Sequence, residues 1–81
     1  MLRVTIGNNL KRTPYTIDPN TTLRDALENA EVDYTVGMTQ LDGAILGAGD
    51  LNKTFVEFGY TGDEGHDKCY LINVVKADNA A

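Results

Sequence analysis

The chain has 81 residues, room for one hydrophobic core and not two, since a domain of this size buries only about 60% of the surface its unfolded chain exposes. Twelve Asp and Glu against seven Lys and Arg give a net charge of −5, which repels phosphate backbones and anionic lipid headgroups and excludes nucleic acid and membrane as expected partners. The apolar fraction of 42% is that of a folded domain, and Cys69, the only cysteine, has no mate for an internal disulfide, so a reducing, cytoplasmic setting is expected.

Leu2, Val4 and Ile6 alternate with Arg3 and Thr5, the period of a strand with one buried and one wet face. No long apolar stretch accompanies this start, so neither a signal peptide nor a membrane span is expected there. Gly7, Asn8 and Asn9 tolerate positive φ and lead into a second alternating run, with Tyr15 and Ile17 inward and Thr16 outward, which together predict a hairpin. Pro14 has no amide proton to give a ladder, and this places the second strand at a sheet edge or turns its amide side outward. Asp18, Pro19 and Asn20 break the strand. Thr22 with Asp25 three residues on resembles a capping box, and predicts a helix over 23–31 whose stripe of Leu23, Ala26, Leu27 and Ala30 packs on the sheet.

After a connector through Asp33 and Tyr34, residues 36–41 read as a strand, Asp42-Gly43 as a tight turn, and 44–46 as its short partner. Gly47, Gly49 and Asp50 end this hairpin. Leu51, Phe55 and Phe58 are spaced for a helical turn or structured loop that seals one end of the core. Residues 59–68 are polar and glycine-rich, and 69–75 form the most apolar run, which predicts a last strand in a central position. Residues 1–76 are thus read as one domain and 77–81 as a flexible tail.

Several local features recur in this order: the hairpin ending in Ile17-Asp18-Pro19, the helix opening at Thr22-Leu23, the Leu41-Asp42-Gly43 turn, and Asp50-Leu51-Asn52-Lys53-Thr54-Phe55 before the last strand. Over nearly all of residues 2–76 their order and spacing resemble the ubiquitin-like proteins. The resemblance implies an α+β fold of β-grasp type, a mixed sheet of four to five strands with one helix packed on one face. Conjugated members of that family, and its sulfur carriers, end in a mobile Gly-Gly whose carboxylate an activating enzyme adenylates. Here the end is Asp78-Asn79-Ala80-Ala81 and the last glycine is Gly65, so the resemblance implies a non-conjugating adaptor. A modifier or sulfur-carrier-like protein, activated at the Ala81 carboxylate, is the alternative.

Asp63, Glu64, His66 and Asp67 carry ligand atoms for a divalent cation, and a metal or small-ligand module is a second alternative. One histidine in a run with two glycines sets no ligand geometry, and a solvated turn accounts for it. Cys69 with His66 as base would make a nucleophile, but a cysteine opening a core strand acts as a small hydrophobe. The glycines at 43, 47, 49, 59, 62 and 65 match no phosphate-binding fingerprint. Neither an enzyme activity nor a cofactor is expected.

If Tyr70, Ile72 and Val74 face the helix, then Cys69, Leu71, Asn73 and Val75 line the opposite face of the sheet, where only solvent or a partner covers them. In ubiquitin-like proteins that open face is the usual docking surface. The resemblance therefore implies a protein-binding site at Leu71, Asn73 and Val75, with Met38 and Gln40 on the neighbouring strand and with self-association as another use of the same strip.

Overall fold

The structure is a computed structural model and describes residues 1–8 and 10–74. The first hairpin forms as its alternation requires: β1 (Leu2–Asn8) pairs antiparallel with β2 (Arg12–Ile17), from Leu2 opposite Ile17 to Gly7 opposite Arg12. Leu2, Val4 and Ile6 are buried on one side of β1. The Asn8 side chain shapes the turn by accepting from the amides of Leu10 at 2.7 Å and Lys11 at 2.8 Å. At Gly7 the returning chain comes so close that a Cβ would lie 2.1 Å from the Lys11 carbonyl oxygen, and glycine is the residue that fits.

Helix α1 (Leu23–Asn29) starts where the capping pattern places it, with the Thr22 hydroxyl accepting from the Asp25 amide at 3.2 Å. It stops two residues short of the predicted end because Glu31 takes a left-handed φ of 60°, which no helix interior accommodates. Leu23, Ala26 and Leu27 are buried, and Ala30 packs on the same core from just beyond the helix. β3 (Met38–Leu41) and β4 (Ala44–Ile45) form the second hairpin, turning through Asp42 at φ 51° and Gly43 at φ 87°. Positive φ at both central residues is the turn that matches the twist of paired strands.

Two short 3₁₀ turns, Ala48–Asn52 and Val56–Phe58, bracket Phe55, which is fully buried, while Leu51 and Phe58 pack against the core as partly exposed residues. The segment is tied to the helix entrance by the Leu23 amide donating to the Lys53 carbonyl at 3.0 Å and the Val56 amide to that of Pro19 at 3.1 Å. β5 (Lys68–Val74) then enters the middle of a mixed five-strand sheet of order β2-β1-β5-β3-β4, parallel to β1 and antiparallel to β3. Helix and 3₁₀ turns are all the described residues contain besides this sheet, so the architecture is α+β, with Pro14 on an edge strand.

The core lies between one face of this sheet and α1, and the register decides which residues of β5 enter it. Val4 stands beside Cys69 and Ile6 beside Leu71. Since Val4 and Ile6 point at the helix, so do Cys69, Leu71 and Asn73, and all three are buried, Leu71 with 0% of its surface exposed. The expectation that Leu71 and Asn73 line the open face is thereby corrected: Tyr70, Ile72 and Val74 line it instead. Val75 and the tail 77–81 lie outside the described residues. No helix among the described residues is long and apolar enough to cross a membrane.

Candidate functional site

One helix covers one side of a five-strand sheet, and no element among the described residues forms a layer on the other side. Because side chains alternate along each strand, the β1–β5 and β3–β5 registers fix what that side presents. On β5 these are Lys68, Tyr70, Ile72 and Val74. Met38 lies beside Val74 and Gln40 beside Ile72 on β3, and Ile45 of β4 lies beyond Gln40. Two of the sequence-predicted contacts, Met38 and Gln40, thus share the open face, whereas Leu71 and Asn73 do not.

The apolar members of this face are large and wet. Tyr70 is 54% exposed, Ile45 62% and Met38 46%, while Ile72, between them, is nearly covered by its neighbours on the sheet. None of these residues belongs to the core cluster or packs against it. Ile45, Tyr70 and Ile72 are the open-face residues that sequence reasoning missed, and the signal that finds them is the strand register, with β1 for Tyr70 and Ile72 and with β3 for Ile45, not any property of β5 itself. At the β4 edge the patch continues into a groove of about 460 Å³, where Met38 and Ile45 meet Leu46, Leu51 and Tyr34. Among the described residues Arg24 is the only charged one lining that groove, and its guanidinium donates to the Asn52 side chain.

The buried side of the same strands is fully committed to structure. Asn73 donates from Nδ2 to the carbonyls of Val36 at 2.7 Å and Asp33 at 3.1 Å, and its Oδ1 accepts from the Thr39 hydroxyl at 3.2 Å. Asp42 closes the β3–β4 hairpin onto β5. Its amide donates to the Tyr70 carbonyl at 2.8 Å, and its carboxylate accepts from the Tyr70 amide at 2.8 Å and from the Tyr60 hydroxyl. Burial, then the hydrogen bond and charge of Asp42, push the Tyr60 phenol upward. Burial, with a smaller contribution from Asp42, pushes the Cys69 thiol up to about 12. A thiol so placed stays protonated at neutral pH, and His66 is exposed in the loop before β5 while Cys69 is buried.

The 63–67 loop is a solvated turn in which the His66 amide donates to the Asp63 carbonyl at 2.7 Å and the Gly62 amide to the His66 carbonyl at 2.9 Å. Among the described residues no group of three or more His, Cys, Asp or Glu side chains converges to hold a metal ion. A second groove, of about 600 Å³, runs between β2 and residues 29–33; it is polar, with Lys11, Glu31 and Asp33 in its lining. The open face with its β4 edge is therefore the surface whose chemistry is least accounted for by the fold. In comparisons with protein-family models, curated proteins and solved structures, nothing matches this chain.

Proposed function

We propose that this chain is a ubiquitin-like domain of β-grasp type that acts as an adaptor, docking another protein on the open face of its sheet and performing no chemistry of its own. The observation that carries the reading is the gathering of Met38, Ile45, Tyr70, Ile72 and Val74 on one uncovered side, outside the core. Isolated apolar residues on a surface need no explanation, but a contiguous set of them rimmed by polar groups marks an interaction site. Tyr70 at its centre is the residue type that most often anchors an interface, having a large apolar body and a hydroxyl for the wet rim. The element order supports the fold reading: hairpin, helix, short hairpin, and a last strand parallel to the first in the middle of the sheet.

The test is affinity capture from the native host with three forms of the protein. Tyr70→Asp combined with Ile45→Asp, both at exposed positions, removes the partner that the unaltered chain retains, with the urea midpoint nearly unchanged. Glu28→Lys, on the exposed side of α1, leaves capture intact. Loss with the helix variant and retention with the sheet variant places docking on the helix side and ends the proposal.

A further inference from the structure

The open face has a charge that the whole molecule does not. The chain carries −5 overall, yet among the described residues no Asp or Glu occupies an outward strand position on this face, while Arg3, Arg12 and Lys68 do. The acids lie elsewhere: Asp25, Glu28 and Glu31 on the helix side, Asp63, Glu64 and Asp67 in the loop before β5. Asp42 sits at the head of Tyr70, and its carboxylate is taken up by the Tyr70 amide and the Tyr60 hydroxyl.

Arg3 and Lys68 are direct neighbours on adjacent parallel strands, about 4.8 Å apart in the pairing direction. Like charges facing each other across a strand pair are unfavourable. Among the described residues the one ion pair is Lys53 with Asp50 at 3.4 Å, so neither Arg3 nor Lys68 is paired with a carboxylate. Among the described residues Arg12 donates from its Nε to the Asn8 carbonyl, at 3.3 Å, and pairs with no carboxylate. The fold thus holds three cations along β2, β1 and the foot of β5 beside an apolar strip on β5, β3 and β4, and among the described residues no carboxylate side chain projects from a strand on this face.

Resting on the docking proposal above, we infer that the occupant of this face is an acidic protein segment: apolar side chains over Tyr70, Ile72, Met38 and Ile45, and carboxylates over the Arg3–Lys68 pair and Arg12. A phosphate polymer or an anionic bilayer suits it less. A phosphate polymer leaves the exposed Ile45 and Met38 unused, and an anionic bilayer is a broad anionic surface that an acidic chain of net charge −5 repels. The outward run of β5 is about 20 Å long, the length of a helical segment of about 13 residues.

The probe is a 14-residue amphipathic peptide with a leucine stripe flanked by glutamates, its counterpart with every glutamate replaced by lysine, and vesicles rich in phosphatidylserine, each titrated into the isotopically labelled chain. The acidic peptide shifts the backbone amides of Met38, Ile45, Tyr70 and Ile72, binds at least tenfold more tightly than the lysine counterpart, and weakens severalfold between 20 and 200 mM salt (about a threefold change in Debye length). Arg3→Glu with Lys68→Glu, whose side chains are exposed and whose urea midpoint verifies folding, reverses the preference between the peptides. Equal shifts at the open face by both peptides, unaffected by the double variant, overturn the acidic occupant and leave the docking face standing. Shifts by neither peptide at that face, or by the vesicles alone, overturn both.

Discussion

Asn73 is a polar side chain with 1% of its surface exposed, in the strand that forms the centre of the sheet. It is tolerated because it is satisfied: two carbonyls accept from its amide group, the Thr39 hydroxyl donates to its oxygen, and the connector between α1 and β3 is thereby fastened to β5. Asn73→Ala frees both the Asp33 and Val36 carbonyls and the Thr39 hydroxyl in a closed space, and costs about 1–3 kcal/mol in urea unfolding. Leu71, its neighbour on the same side, behaves differently from a surface contact. Leu71→Asp places a carboxylate in the core against Ile6, and the chain does not fold, read as loss of dispersion in the amide spectrum. Leu71→Ala folds but loses about 2–5 kcal/mol. A Leu71→Asp chain that stays folded would put that residue back on the open face.

At the scale of elements, the β1–β2 hairpin, the helix start and the Asp42-Gly43 turn are legible in the sequence because each depends on residues a few positions apart. Thr22 caps a helix whose free amides lie within its own next turn, and Asp42-Gly43 takes the positive φ pair its own backbone permits. The facing of β5 is not local. The strand is apolar on both sides, with Tyr70, Ile72 and Val74 on one and Cys69 and Leu71 on the other, and Asn73 even gives the core side the more polar appearance. Only pairing with β1, more than sixty residues earlier, decides the matter, and no alternation within β5 encodes it. The helix end was likewise hidden, since Glu31 reveals its left-handed conformation only in the folded chain. The close approach at Gly7 is a further element-scale constraint. Gly7→Ala drives a methyl into the Lys11 carbonyl and the Arg12 Cα at 2.7 Å, contacts made by backbone that a rotamer change cannot relieve. The hairpin must open to accept it, at a cost of about 1–3 kcal/mol by analogy with overpacking, seen as a lower urea midpoint and faster exchange of the Gly7 and Asn8 amides. Gly49→Ala, where a Cβ meets nothing within 4 Å, is the matched control and stays close to the parent.

For the molecule as a whole, the buried groups that link folding to pH act on the alkaline side. Cys69 and Tyr60 are both neutral when protonated, and both are held that way by burial and by the nearby Asp42 carboxylate. In the unfolded chain a thiol loses its proton near pH 8.5 and a phenol near pH 10. Between those values and the raised folded ones, the unfolded state binds fewer protons than the folded state, and stability then falls as pH rises. The Cys69 contribution is whole below about pH 8.5 and is lost as pH approaches about 12; the Tyr60 contribution starts to go above about pH 10. The acids Asp33 and Asp50 act on the opposite limb. Hydrogen bonds from the Thr35 hydroxyl and amide lower the first, and those from the Gly47 amide and Lys53 the second, so what they contribute is present above the usual carboxylate range and lost as pH falls through it. Both are solvent-exposed, which makes the acid limb shallow beside the alkaline one. Urea midpoints measured from pH 6 to pH 11 therefore stay level to about pH 8.5 and then decline steadily. In Cys69→Ala the plateau lies lower because a small cavity opens in the core, yet it extends more than one pH unit further before the tyrosines, Tyr60 and the Glu28-bonded Tyr34, bend it. A decline that begins at the same pH in both chains would mean that Cys69 titrates in the fold as it does in the open chain, and that the thiol is not sealed between β1 and the helix.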